Sequence, residues 1–439
     1  MKRRELLAGS AAALATPALA TPALATPALA TPALAQSKPE KLVYVGDNGP
    51  WHYAMVEEVG PAFEKETGIK IDFTLLPVDA WNARLKAELN SGSSGIDIVQ
   101  WSVGMAGFLS QHFDDHEALA AKIVAKHPDW DWNDFLAGSK KAGTYDGKLL
   151  GIPYRVTTGI MHYQKPLLDK AGITKLPETF EDLRKVAIAL NAPPDRYGFG
   201  VSGRQGPAII TSFSPWLFSA GGGFVDLKTG EILINNQEAV TALEFWAGLV
   251  TKDKLVPPES MTWDYEEIVA GGQNDRYATC QTFAPYGTLM NDPKLSKTGG
   301  KWIWDTVPGL TEKAQSRTWV DGHFLGVPKY TKHADYALDF IRMVCDKHWM
   351  RRSMIRGNAP PRGSVLRDPD MVKQIGWTEV AARAIETGIP TPAQPIIPTL
   401  MLSLRGGLSQ ALLGQKTAKD ALDEVAKDWQ RAMRRGGLK

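Results

Sequence analysis

The sequence predicts an α/β protein built as two domains, and three observations carry that prediction. The chain of 439 residues exceeds what one hydrophobic core comfortably serves. Its first ~60 ordered positions read β-α-β-α-β, the pattern of a parallel sheet with crossover helices. The stretch Tyr145 to Tyr163, YDGKLLGIPYRVTTGIMHY, then runs from a polar turn through an apolar run, a polar patch and a second apolar run. That patch reads either as a hinge or ligand edge between two buried strands, or as an ordinary surface bend.

The N-terminus is a different material. Lys2, Arg3 and Arg4 precede an Ala-rich run, and TPALA then recurs four times between Thr16 and Ala35. A basic start, a weakly apolar middle and Ala-x-Ala endings describe an export signal over residues 1–35, with cleavage expected after Ala35. The regular prolines oppose a membrane-spanning helix. The paired arginines followed by Glu5, Leu6 and Leu7 loosely resemble a twin-arginine signal, so export to the periplasm by that route is expected. Removing Lys2, Arg3, Arg4 and Glu5 from totals of 50 basic and 48 acidic residues leaves 47 of each. Such a balance gives no support to nucleic-acid binding or to a polybasic membrane patch. Hydrophobic content of 44% with 22% charge is that of a soluble globular chain. The two thiols, Cys280 and Cys345, fall in a strand-like and a helical run; they either pair or remain buried and free.

The elements follow in order. KLVYVG from Lys41 reads as a strand ending in the turn formers Asp47 to Pro50. Trp51, His52 and Tyr53 open a helix closed by Thr67 and Gly68. IKIDFTLL is the second strand, a helix from about Asp79 carries Trp81, Leu85 and Leu89, and IDIVQW is the third strand. In parallel sheets ligands sit at the carboxyl ends of strands, here Gly46 to His52 and Gln100 to Gly104. Asp146-Gly147 is a type I′ hairpin signal. Helices are predicted within 165–190 and over 236–252. Pro215-Trp216 reads as a loop, and a hairpin turn is predicted at Lys228 to Gly230. Trp263 to Tyr265 starts another helix, ATCQTF is a strand, and WVDGHFLGVPK is a strand with a polar notch at Asp321 to His323. A helix over 334–350 and an amphipathic closing helix with Ala421, Leu422, Val425 and Trp429 complete the pattern.

Enzyme signatures fail. Gly198 to Gly203 matches G-x-G-x-x-G, but Arg204 to Pro207 follow where an apolar helix should. His112 and His116 stand four apart, yet Asp114 and Asp115 between them, and no HExxH, point to a solvated helix surface. The adjacent carboxylate pairs Asp114-Asp115 and Glu266-Glu267 diverge on a helix and do not form a glycosidase pair. No catalytic residue, metal ligand or cofactor site is predicted. Aromatics are more informative: Trp51, Trp101, Trp216, Trp263 and Tyr286 all fall at predicted element edges beside polar residues. Together they suit a saccharide, whose flat C–H faces stack on rings while its hydroxyls need short polar groups.

EEVGPAFEKETGIKIDF, GIDIVQW, YDGKLLGIPY with GIMHYQKPLLDKAGI, LPETFEDLRKVAIAL, ATCQTFAPYG, GVPKYTKHADYALDFI and LLGQKTAKDALDE occur in this order along the chain. The sequence thereby resembles the extracellular solute-binding proteins of carbohydrate ABC importers, the family that includes maltose-binding protein. The resemblance implies a two-lobe periplasmic-binding-protein fold with hinge crossings and a central cleft. Lobe one would comprise 38–155 and 325–367, and lobe two 156–324 and 368–439. It also implies ligand contacts from Trp51, His52, Gln100, Trp101, Ser102, Arg155, Thr157, Thr158, Trp216, Trp263, Asp264, Tyr286, Asp321, Gly322, His323 and Arg362. The chain departs from the maltose pattern after Trp101, where Ser-Val-Gly-Met replaces charged sugar ligands, and near Met401, where a stacking tryptophan is missing. The implied function is a monomeric, non-enzymatic receptor that captures a mono- or oligosaccharide and delivers it to the permease subunits of an ABC importer. The alternatives are a periplasmic carbohydrate-active enzyme, a receptor for an acidic or sulfonated sugar held by Arg155, His323 and Arg362, or a receptor for another solute.

Overall fold

The structure is a computed structural model that describes residues 38–436, apart from 227, 228, 393 and 395. The export signal and Lys228 of the predicted hairpin turn lie outside the described residues.

Eleven strands occur among the described residues: β1 (Lys41–Asp47), β2 (Lys70–Leu76), β3 (Ile98–Ser102), β4 (Thr144–Tyr145), β5 (Lys148–Leu149), β6 (Ile152–Gln164), β7 (Tyr197–Gly200), β8 (Tyr277–Phe283), β9 (Trp302–Asp305), β10 (Trp319–Gly326) and β11 (Ile389–Pro390). They form one sheet in the order β2-β1-β3-β10-β6-β8-β7, with β9 on β6 and β11 on β10, plus the β4-β5 hairpin. As predicted, β1 pairs in parallel with both β2 and β3. The helix Val78–Asn90 crosses between them and buries Trp81, Leu85 and Leu89. Each such side chain contributes about 1.5–3 kcal/mol of transfer free energy. The β4-β5 turn is of the expected type, with Asp146 and Gly147 both at positive φ (47° and 78°).

The predicted crossing is a single 13-residue strand. The first half of β6, to Thr158, pairs with β10, and the second half, from Gly159, pairs with β8 and β9. Two large hydrophobic cores lie on either side. The first gathers buried side chains from Leu42 to Ile160 and from Val320 to Ile385. The second gathers those from Met161 to Val307 with Trp319 and Ile397 to Met433. Both cysteines are buried and free.

Several local expectations are corrected. The helix predicted over 334–350 is two, Ala334–Val344 and Lys347–Ile355, because Asp346 caps the second by accepting from His348 N. Trp216 does not sit in a loop but in the helix Pro207–Ser219, whose second half, from Ser212, is buried throughout. Pro215 interrupts that helix's hydrogen bonding, since it has no N–H to give the Thr211 carbonyl four residues back. That carbonyl instead accepts from Trp319 Nε1 at 2.9 Å. His112 and His116 are buried, not solvated. His116 Nε2 accepts from Val327 N and its Nδ1 meets the Asp114 carbonyl, while His112 Nδ1 meets the Tyr330 hydroxyl. The G-x-G-x-x-G glycines serve packing: a Cβ at Gly198 would lie 2.0 Å from the Ala187 carbonyl oxygen, and one at Gly200 2.6 Å from the Tyr277 ring.

Candidate functional site

Because strand side chains alternate in direction, register decides what shares a face. Across the middle of the sheet Ser102, His323 and Arg155 are paired in one row, Asp321 and Thr157 in the next, and Gly159 with Phe283 in the third. All belong to one face of the sheet, in the strip that passes from the first core to the second. A register shift between His323 and Phe324 marks a bulge that re-aims the side chains around Tyr154 and Arg155.

Trp51, on the turn after β1, is held by its Nε1 donating to Asp47 Oδ1 at 3.1 Å. The Arg155 guanidinium lies over the Trp51 ring, 4.3 Å from its centroid, and His323 meets the same ring edge-on at 5.3 Å. Arg155 Nη1 is 3.5 Å from His323 Nε2, whereas Arg155 Nε is buried without a hydrogen-bond partner. Asp47 and Asp321 act on Arg155 through space. Burial pushes both carboxyls above the usual range, against the pull of Arg155. Rings from beyond the first core reach the same place: Tyr286 and Tyr265 lie 5.1 and 5.3 Å from Phe283, which packs on Trp319 of the second core at 4.7 Å. Burial raises the Tyr286 phenol to about 12 while the Arg155 charge opposes it, which puts the ring within reach of the guanidinium's field.

The sixteen residues expected at the site therefore separate. Trp51, Ser102, Arg155, Thr157, Tyr286, Asp321 and His323 converge. His52 and Gln100 stand behind them as positioning residues. His52 is fully buried with Nε2 2.8 Å from the Tyr44 hydroxyl, and burial with the Arg155 charge pushes its pKa down to about 3. Gln100 Oε1 accepts from Asp47 N at 2.8 Å.

The other seven are placed elsewhere or otherwise engaged. Trp101 is buried in a stack on Phe324, 4.5 Å between centroids. Thr158 and Gly322 occupy the alternate positions of the strands, and the Thr158 hydroxyl donates to the Trp319 carbonyl. Trp216 is core, against Phe180 and Phe199. Trp263 packs into a small third core beside Tyr277. Asp264 is engaged in a capping box with Glu267 at the helix Tyr265–Gln273 and in an ion pair with Arg204. Arg362 is fully buried, donating to the carbonyls of Cys345, Trp130 and Asp131 and to Asp134 Oδ2. It fastens the 130–135 loop and does not face the cleft.

Phe283 and Trp319 were not singled out from the sequence, and Asp47 was covered only by the expected ligand edge Gly46 to His52. Asp47 carried a usable signal as the last residue of a parallel strand. Phe283 and Trp319 sit inside apolar strands, and only pairing across Gly159 brings them to the site. The converging groups offer hydroxyl and guanidinium donors, two carboxylate acceptors and an aromatic wall, an arrangement suited to a polyhydroxylated molecule. Among the described residues no group of three His, Cys, Asp or Glu could hold a metal ion, and no helix is long and apolar enough to cross a membrane.

A probable ABC transporter-binding protein of Deinococcus radiodurans is 24% identical over 351 residues, 78% of this chain and 80% of the relative. An ABC transporter solute-binding protein of Agrobacterium radiobacter K84, solved with ribitol, superposes with a TM-score of 0.76 at 22% identity, covering 90% of this chain and 100% of that one. A maltose-bound binding protein of T. maritima gives 0.75 at 20% identity, over 89% and 99%. These likenesses establish the two-lobe binding-protein fold. The bacterial extracellular solute-binding protein model matches residues 58–378, and the chain belongs to that family.

Proposed function

We propose that this protein is an exported receptor that captures a sugar or sugar alcohol and hands it to the permease of an ABC importer. The observation that carries the reading is the pair of adjacent rows, Arg155 with His323 and Thr157 with Asp321, on the strip of sheet between two hydrophobic cores, beside the rings of Tyr265, Phe283 and Tyr286. Such a strip is closed from solvent only when the two cores approach each other, so a ligand seated there would be buried by closure. The lobes we propose are 38–155 with 325–367 and 156–324 with 368–439. The packing of Met371 to Ile385 into the first core is a reason to move that stretch to lobe one. The nature of the relatives supports the ligand class: a ribitol complex and a maltose complex are among the similar structures. An acidic sugar is disfavoured, because Arg362 lies outside the cleft and Arg155 is outnumbered by Asp47 and Asp321. We read the protein as non-enzymatic, monomeric and periplasmic.

Thermal unfolding with ribitol, D-mannitol, maltose and galacturonate tests this. A ligand at a hundredfold its Kd stabilises the native state by about 2.7 kcal/mol, so one neutral compound is expected to raise Tm by several degrees. Silence from every one of these compounds and from their amino analogues, or conversion of any of them to product, would overturn the reading.

A further inference from the structure

The charges of the cleft floor do not balance. Asp47 lies on one side of Trp51 and Arg155 on its ring face, and Asp321 occupies the row of β10 adjacent to His323 and Arg155. Neither carboxylate is spent on the arginine. Asp47 Oδ1 takes the indole N–H of Trp51, and Asp321 Oδ1 takes the N–H of Gly322 at 2.7 Å. Asp47 thereby keeps its second oxygen, and Asp321, which also accepts from the Val103 backbone, keeps lone pairs that no cation takes. The two histidines nearby, His52 and His323, are held neutral by burial, so they add no positive charge. Of the other carboxylates of the neighbourhood, Asp264 pairs with Arg204 and Glu57 and Glu58 with Arg356 and Arg352, while Glu266 acts on Tyr286 through space. With both carboxyls ionised, the floor thus holds two negative charges against one positive.

A neutral ligand would seal this excess of one negative charge under the aromatic wall of Tyr265, Phe283 and Tyr286 when the cleft closes. Burying an uncompensated charge is strongly unfavourable, and either a counter-charge or a proton must enter with the ligand. We propose that the preferred ligand carries its own cation: an amino sugar or amino polyol whose ammonium group sits between Asp47 and Asp321, with its hydroxyls on Arg155, Thr157 and Ser102. An ammonium has three N–H donors and no acceptor, which matches two carboxylate oxygens and excludes Arg155 as its neighbour. The aromatic wall would take the ligand's C–H face, and the ring quadrupoles tolerate a nearby cation.

This inference rests on the receptor reading, and the experiment separates the two. Calorimetric affinities would be measured for a charge series on one scaffold, D-glucose, D-glucosamine and D-glucuronate, and for D-mannitol beside its 1-amino-1-deoxy analogue, in two buffers of different ionisation enthalpy. The expected result is an amine bound at least tenfold more tightly than its neutral counterpart, without proton uptake, and no binding of glucuronate. Asp321→Asn and Asp47→Asn should each erase most of the amine's advantage, with an unchanged circular dichroism spectrum and a cooperative melt certifying that the variants are folded. Neutral compounds bound as tightly as their amines, or bound with uptake of one proton, would overturn the ammonium assignment and leave the receptor intact. Failure of every compound in both series would count against the receptor reading itself.

Discussion

Replacing Arg155 by Met separates the two roles the structure gives this side chain. The alkyl stem is kept, so the packing of β6 against β10 should persist. On the free protein, the change removes the stack on Trp51, worth about 0.5–1 kcal/mol. It also removes a half-buried charge whose Nε has no partner, a desolvation cost of opposite sign. The two nearly cancel, and because 1 kcal/mol moves Tm by about 2–4 °C in domains of this size, the ligand-free variant should melt within a few degrees of the parent. Binding is another matter. A hydrogen bond to a charged group contributes about 1.5–3 kcal/mol, and each ~1.4 kcal/mol is tenfold in affinity. Loss of a single such bond to a ligand hydroxyl therefore weakens Kd by about 10- to 150-fold on the same scale. Differential scanning calorimetry on the free protein and titration calorimetry with the neutral compound identified by thermal unfolding measure the two quantities. Wild-type affinity in a stably folded variant would refute the placement of Arg155 at the ligand. A collapse of Tm with unchanged affinity would make it a structural residue only.

Further expectations follow from other parts of the fold. Gly159→Ala would bring a Cβ to 2.3 Å from Gln281 Nε2 and 3.3 Å from Trp319 Nε1, and overpacking of this kind costs about 1–3 kcal/mol, read as a lower urea midpoint; an unchanged midpoint would mean that Gln281 moves aside freely. Asp346→Ala removes the cap that begins the helix Lys347–Ile355 and should cost about 1 kcal/mol in chemical unfolding, with Asp346→Asn restoring most of it. His52, His116 and His162 have pKa values pushed down by burial to about 3, 4 and 3, below the value near 6.5 expected in the unfolded chain. The unfolded state then binds more protons as pH falls from about 6.5, so stability should decline steadily between pH 7 and pH 5, before ordinary carboxylates titrate. A flat urea midpoint across that range would contradict the burial of these three rings.

The strands and most helices were legible because each carries a period and a punctuation mark. Asp146-Gly147 announced its turn, Thr67-Gly68 its helix end, and the spacing of Trp81, Leu85 and Leu89 their shared face. The site was legible only where it coincides with a strand end or a polar break in an apolar strand, as at Trp51, Arg155, Thr157, Asp321 and His323. Aromatic residues misled because the same edge position suits a core. Trp216 follows a proline that ordinarily ends a helix and here does not, and Arg362 lies in a Pro/Gly/Arg loop that folds inward over Asp134. Nothing local distinguishes a guanidinium that closes on a ligand from one that fastens three carbonyls. Phe283 and Trp319 were invisible for a different reason, since their partnership is a matter of register between strands remote in sequence.

The proline inside the helix Pro207–Ser219 has a consequence for how this chain can change over generations. By leaving the Thr211 carbonyl unclaimed it supplies the acceptor for Trp319, the residue from which the strand shared by both cores departs. A substitution that returned an N–H to position 215 would offer that carbonyl a second donor, and a loss of the indole would leave it buried and unclaimed. Each change is awkward alone and reasonable together, so the two positions, 104 residues apart in numbering and joined by one oxygen atom, form a single heritable unit. A lineage that drops the proline is expected to drop the tryptophan with it.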